Sequence, residues 1–172
     1  MMKEKIKIAL IKQSNRELES SHIYLNMASW SESNGFDGVC NFLYDHSNEE
    51  RYHMLKLIRY LNGRGGDFVK INYDNKFYIK NENYESLEII FEKLFEHEKL
   101  ISHEINLLLE LSLKEKDHFT YNFLQWFVKE QIEEESLIKM LLNKIQLIKN
   151  NQLGIYLFDK SIKNIEINNK KL

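Results

Sequence analysis

The chain has 172 residues, no proline, six glycines and one cysteine, and its 24 basic and 26 acidic side chains leave a net charge of −2. So balanced a charge points to neither a nucleic-acid nor a membrane partner, and no apolar run approaches the roughly 20 residues that cross a bilayer. The lone Cys40 excludes an intramolecular disulfide and fits a reducing compartment.

The N-terminal Met1-Met2-Lys3-Glu4-Lys5-Ile6-Lys7 has no apolar core of a signal peptide, so a cytoplasmic protein is expected. The length suffices for one domain with a buried core, expected over residues 1–172. Abundant Leu, Lys and Glu with few breakers favour helix. The first helix is predicted over about residues 3–33. Leu10, Glu17, Tyr24 and Ala28 share one face by their spacing of seven and four. Glu17 thus sits among groups that should be buried, where an unpaired carboxylate costs several kcal/mol. A rotated helix with Glu17 at the rim is the alternative.

In Asn34-Gly35-Phe36-Asp37-Gly38, Asn34 and Gly35 suit a helix end, and Asp37 suits the cap of the next start. So short a link makes the first two helices antiparallel neighbours. The second helix is predicted over 38–62, with Leu43, His46, Glu50, His53, Leu57 and Leu61 on one stripe. Glu50 and His53 are spaced i, i+3 and point the same way. A Glu-x-x-His on an inward face is how four-helix bundles supply a carboxylate and an imidazole to a metal pair, although a chance pair on a solvated face reads the same. His46, one turn before Glu50, reads as a core or supporting histidine rather than a ligand. Cys40 reads as a small packing residue.

Beyond Asn62-Gly63-Arg64-Gly65-Gly66, about twenty residues show no helical period, and so long a loop needs a reason. A helix of about 25 residues is about 38 Å long, and about twenty extended residues reach about 66 Å. The segment can therefore travel the whole bundle, so that the third helix runs parallel to the second. Phe68, Ile71, Tyr73, Phe77 and Tyr78 are too apolar for a free linker and should lie against the bundle or a neighbouring subunit.

The third helix is predicted over 86–113 with Ser86 as its cap and Phe91, Leu94, Phe95, Glu98, Ile101, Ile105 and Leu109 as its face. The fourth is predicted over 120–149, capped by Thr120, with Phe127, Gln131, Glu134, Ile138 and Leu141 inward. A short fifth helix is predicted over 154–165. The expected fold is all-α: a four-helix bundle with a long crossover between helices 2 and 3 and a short fifth C-terminal helix.

Glu17, Glu50, Glu98 and Glu134 each fall near the middle of their own helix. Midpoints of similar helices lie at one level in a bundle, so four carboxylates should converge, joined by His53 and Gln131. Four anions in one dry site repel strongly, and two divalent metals would neutralise them. The oxygen-rich set suits iron or manganese better than a closed zinc site. Four unrelated surface glutamates would require four coincidences of position.

Four runs carry a family resemblance: Asn15-Arg16-Glu17-Leu18-Glu19-Ser20-Ser21, Glu49-Glu50-Arg51-Tyr52-His53, Asn122-Phe123-Leu124-Gln125-Trp126, and Glu130-Gln131-Ile132-Glu133-Glu134-Glu135. Over almost its full length the chain resembles the bacterial non-haem ferritins, of the ferritin-like di-iron superfamily. That resemblance implies a ferroxidase centre in which Glu17, Glu50 and His53 hold one iron. Glu50 would bridge to a second iron, held also by Glu98 and Glu134, with Gln131 beside it. Glu49, Glu130 and Glu133, with Glu134 shared, match the family's third iron site toward the shell interior. Glu49 lies about 100° around the helix from Glu50; an ordinary solvated glutamate is its alternative. Tyr24 matches a tyrosine beside the centre that can give an electron, and a packing tyrosine reads equally well.

The activity implied is oxidation of Fe(II) by dioxygen or hydrogen peroxide, with Fe(III) stored as a mineral inside a shell of twenty-four subunits. Bacterioferritins carry a second Glu-x-x-His where this chain has Gln131-Ile132-Glu133-Glu134, and a haem-binding methionine where it has Arg51, so no haem is expected. The DNA-protecting mini-ferritins build their site between subunits and lack a fifth helix. The crossover departs from the family in having no proline and a few extra residues. Two other readings remain open: a rubrerythrin-like or other small-substrate di-iron oxidase or peroxidase without a storage shell, and a helical interaction module with solvated glutamates.

Overall fold

A computed structural model describes residues 2–65, 84–149 and 151–169. They form five helices: α1 (Glu4–Ser33), α2 (Asp37–Gly63), α3 (Leu87–Lys114), α4 (His118–Ile148) and α5 (Gln152–Asn169). There is no strand among the described residues. The crossover path and the packing expected of Phe68, Ile71, Tyr73, Phe77 and Tyr78 lie outside them.

The chain reverses after α1 as its turn residues predict. Gly35 takes a left-handed conformation at φ +79°, which costs a glycine nothing. The Phe36 amide then reaches back to the Ser31 carbonyl at 3.0 Å, closing the end of α1. Ser86 caps α3 as expected, accepting from the Ile89 amide at 3.3 Å.

Two expected caps are corrected. Asp37 lies inside the first turn of α2, is exposed, and has Lys160 3.9 Å away. The cap acceptor comes instead from α5: Asp159 Oδ1 accepts from the Val39 amide at 2.9 Å. Thr120 does not cap α4 either. Asp117 does, accepting from the Thr120 amide at 3.1 Å and the Thr120 hydroxyl at 2.9 Å. A carboxylate three residues upstream satisfies the orphan amide that Thr120 would otherwise leave open.

The core is two apolar clusters, one at each end of the bundle. One gathers Tyr24 and Ala28 of α1, Val39 and Leu43 of α2, Ile90 and Leu94 of α3, Ile138 and Leu141 of α4, and Phe158 and Ile162 of α5. The other gathers Ile6 and Leu10, Leu57 and Leu61, Ile101 and Ile105, and Leu124 and Phe127. The early residues of α2 and α3 share the first cluster and their late residues share the second. These helices are therefore parallel, each antiparallel to its partner, α1 or α4. That is the topology a bundle-length crossover requires.

α5 seats across the start of α2, where Gly38 leaves no room for a side chain. A Cβ there would lie 1.8 Å from the Asp159 carbonyl oxygen. The close approach is what lets the Asp159 carboxylate reach the Val39 amide.

Candidate metal centre

Between the two apolar clusters the inward stripes of α1–α4 turn polar. Glu17, Glu50, His53, Glu98, Gln131 and Glu134 are all buried, Glu98 completely. The expectation that Glu17 points inward holds, and the rim alternative does not. These side chains meet because helices α1 and α2 are clasped beside them. The Ser21 hydroxyl donates to the Ser47 carbonyl at 2.7 Å, and the Ser47 hydroxyl returns to the Ser21 carbonyl at 2.8 Å. Ser21 is one turn after Glu17 and Ser47 one turn before Glu50, so small hydroxylated residues bring the two carboxylates close. On the other side, Arg16 of α1 makes a forked pair with Glu104 of α3 at 2.8 and 3.0 Å.

One group comprises Glu17, Glu50 and His53, whose ligand atoms all lie within 4.8 Å of one another. His53 Nδ1 is 3.5 Å from Glu50 Oε2 and 3.9 Å from Glu17 Oε2. Gln13, one turn earlier on α1, donates to Glu17 Oε1 at 2.8 Å. Glu17 Oε2 is left buried without a hydrogen-bond partner, a state that costs free energy unless a cation or proton arrives. Trp126 and Phe127 wall the His53 ring edge-on, at 5.3 and 6.1 Å between centroids.

Glu98 is oriented from both sides. The Tyr24 hydroxyl donates to Oε1 at 2.7 Å, and Gln131 Nε2 donates to Oε2 at 3.1 Å. A second group joins His46, Glu49 and Glu134, again within 4.8 Å. Glu130 is half-buried near Glu49, Glu133 and Glu134. Glu133 is exposed and pairs with Lys129 at 3.6 Å. Neither joins the two tight groups.

The electrostatics follow from burial. Glu17 and Glu50 are pushed well above the ordinary carboxylate range, first by burial and then by neighbouring carboxylates. Burial and then Glu134 raise Glu98 to about 7. Burial, then the Glu98 charge, raises the Tyr24 phenol. Burial opposes a charge on His46, yet Glu134 and Glu49 outweigh it and hold the imidazole at about 9. A site that crowds so many carboxyl groups favours whatever brings positive charge. Its donors, mostly carboxylate oxygens with imidazole nitrogen, fit iron by their chemistry.

The sequence points to every buried carboxylate of this cluster and to His53 and Gln131, but it gives no role to the supporting Gln13, Ser21, Ser47 and Glu104. Gln13 had a local signal, its i, i+4 spacing to Glu17 on the same face. The serines had only their small size.

The family model described as a ferritin-like domain matches residues 8–148. The chain belongs to the ferritin family. Among its relatives, a bacterial non-heme ferritin of Campylobacter jejuni is 42% identical over 171 residues, 99% of each chain. A bacterial non-heme ferritin of Escherichia coli is 36% identical, covering 98% of this chain and all of the relative. Among solved structures, a closed form engineered from the Archaeoglobus fulgidus ferritin superposes with a TM-score of 0.86 at 35% identity, over 94% of this chain and 96% of the other. The Chlorobium tepidum ferritin gives 0.81 at 34% identity, over 95% and 98%. The family match ends at the last residue of α4, while the Campylobacter relative aligns with α5 as well. Among the described residues of this ferritin, no helix is long and apolar enough to cross a membrane.

Proposed function

We propose that this ferritin stores and detoxifies iron, oxidising Fe(II) to Fe(III) at the buried centre and depositing it as a mineral inside a closed shell. The observation that supports this reading best is the meeting of four buried carboxylates and His53, from four helices, at the middle of the bundle. Glu17, Glu50 and His53 hold one Fe(II). Glu50 bridges to a second, held by Glu98 and Glu134 with Gln131 alongside. Glu49, Glu130 and Glu133, with Glu134, take a third iron on its way to the interior.

Iron is the substrate here, and the protein supplies geometry and charge. Binding displaces the protons that the crowded carboxyl groups otherwise retain. Each Fe(II) then gives up one electron. Two electrons and two protons reduce dioxygen to hydrogen peroxide, and two more of each reduce peroxide to water. Tyr24, hydrogen-bonded to Glu98, stands where a further electron can be supplied. An oxygen-rich, open donor set lets Fe(III) move on to the mineral.

The shell contains twenty-four subunits and is cytoplasmic. Leu153, Tyr156 and Leu157 leave α5 with an exposed apolar face, each more than half exposed, which suits a subunit contact. Arg51 is exposed and offers no haem ligand, so the protein carries no haem and its isolated form shows no Soret band. Light scattering combined with aerobic Fe(II) loading tests the proposal. The expected result is a twenty-four-subunit particle that takes up far more iron than its centres hold. A monomer or dimer that stops at two or three irons per chain would overturn storage and favour a small-substrate di-iron oxidase.

A further inference from the structure

We infer that Gln13 is a positioning residue that holds Glu17 as a one-oxygen metal ligand. It thereby keeps open, on the iron held by Glu17, Glu50 and His53, the coordination position that the oxidant needs. This deepens the proposed iron oxidation and rests on that reading of the centre.

Gln13 stands where packing alone would place an apolar side chain. The buried stripe of α1 includes Ile6, Leu10, Gln13 and Glu17, and Ile6 and Leu10 belong to the apolar cluster at that end of the bundle. Gln13 itself is 3% exposed. A buried carboxamide costs free energy unless it is hydrogen-bonded, whereas a leucine in its place would extend the cluster.

The amide is aimed at a single atom. Gln13 Nε2 donates to Glu17 Oε1 at 2.8 Å, across one turn of α1. An ionised carboxylate only accepts, so the amide nitrogen is the end of the side chain that faces it once a metal is bound. The two oxygens of Glu17 thus become unequal. Oε1 is held by Gln13. Oε2 is buried without a hydrogen-bond partner and lies 3.9 Å from His53 Nδ1, so it is the oxygen left for the ion. Glu98 differs: both of its oxygens accept, from Tyr24 at 2.7 Å and from Gln131 at 3.1 Å.

This inequality sets the coordination number. A carboxylate takes a metal through one oxygen or through both. Through one, Glu17, Glu50 and His53 supply three donor atoms, and a metal site that does chemistry keeps a position for its reactant. The terminal torsion of a glutamate is broad. Released by Gln13, Glu17 would turn and chelate the ion with both oxygens. Metal would still bind, but the second oxygen would stand where the oxidant must enter.

Co²⁺, loaded anaerobically into the assembled protein, tests this in the wild type and in Gln13→Met, which keeps length and apolar volume but has no donor. Crystals of the loaded protein should show one Glu17 oxygen on the ion in the wild type and both in Gln13→Met. Azide, a small anion that needs an open position, should alter the visible Co²⁺ bands of the wild type. Gln13→Met should need at least tenfold more azide, the usual scale for losing a partner of a metal ligand. A residue that only supported the fold would change stability and leave both readouts unmoved. Two Glu17 oxygens on the wild-type ion would overturn the inference, as would one oxygen and unchanged azide affinity in Gln13→Met. Either result leaves the iron centre intact, whereas no Co²⁺ at Glu17, Glu50 and His53 in the wild type would overturn the proposed function itself. Should Gln13→Met fail to assemble, Gln13→Asn withdraws the donor by one methylene and should give the same two changes; their absence would overturn the inference.

Discussion

Tyr24 donates its hydroxyl to Glu98 Oε1 at 2.7 Å, joining α1 to α3 through the centre of the bundle. Both groups are completely buried, so the bond fixes the rotation of the carboxylate within the site. Tyr24→Phe keeps the ring and removes this constraint. Partners of metal ligands contribute about 10–100-fold in metal affinity. The second Co²⁺ per chain should bind that much more weakly in anaerobic calorimetry, with the first unaffected. Unchanged affinity for both would make the phenol a packing group.

Glu50 faces both halves of the centre, within 3.5 Å of His53 and in the field of Glu98 and Glu134. Glu50→Ala should abolish the fast phase of oxidation after the first Fe(II) additions, read by stopped-flow absorbance. Glu50→Gln separates chemistry from folding. It removes a carboxyl that burial makes unfavourable to ionise, so the metal-free variant should be more stable than wild type by about 1 kcal/mol. Its melting temperature should also gain less from added Co²⁺. A fast phase intact in either variant would remove Glu50 from the centre.

Asp117 ties the start of α4 to the end of α2, accepting from Thr120 and from Arg64 at 3.1 Å. Burial works against its charge, but the Thr120 groups and Arg64 outweigh burial and hold the carboxyl below its ordinary range. Its folded pKa is therefore depressed. The contribution to stability is fully present above the unfolded value of about 4 and is lost as pH falls through the folded value. Asp117→Asn should cost about 1–2 kcal/mol at pH 7. The gap between variant and wild type should shrink in urea titrations below pH 4. A gap independent of pH would assign the loss to shape rather than charge.

Gly38→Ala poses a contest of magnitudes. Helix propensity alone favours alanine by about 1 kcal/mol. The new Cβ would meet the Asp159 carbonyl oxygen at 1.8 Å and its carbon at 2.8 Å, and overpacking against backbone costs about 1–3 kcal/mol. The clash should win. Thermal stability should fall, and amide exchange should speed up in α5 and at Val39 while α4 stays protected. Equal or greater stability would mean that α5 is not seated on Gly38.

The inward stripes were legible because helical spacing alone decides which residues share a face. Glu17, Glu50, His53, Glu98, Gln131 and Glu134 all stood on such stripes and are all buried. The parallel course of α2 and α3 followed from chain reach. The caps were less legible. Asp117 and Thr120 are both good capping residues three apart, and only geometry shows the carboxylate serving the other's amide. Asp159 caps Val39 from 120 residues away, and no local pattern carries that. His46 shows the same limit: its stripe announced burial, but the direction of Nε2 depends on the Phe42 carbonyl and on a carboxylate from α4.

The proposed ligands occupy the middle of long helices, and this sets how the centre responds to thermal motion. Glu17 lies about 20 Å from the first residue of α1 and about 24 Å from its last. Fraying is confined to terminal turns, so helix ends can open and close without disturbing the donor atoms. The slowest-exchanging amides should therefore surround the buried carboxylates. On the proposed function, iron held there would not leave by the local melting that frees ligands near helix ends; it would pass from one carboxylate to the next while the backbone stays closed.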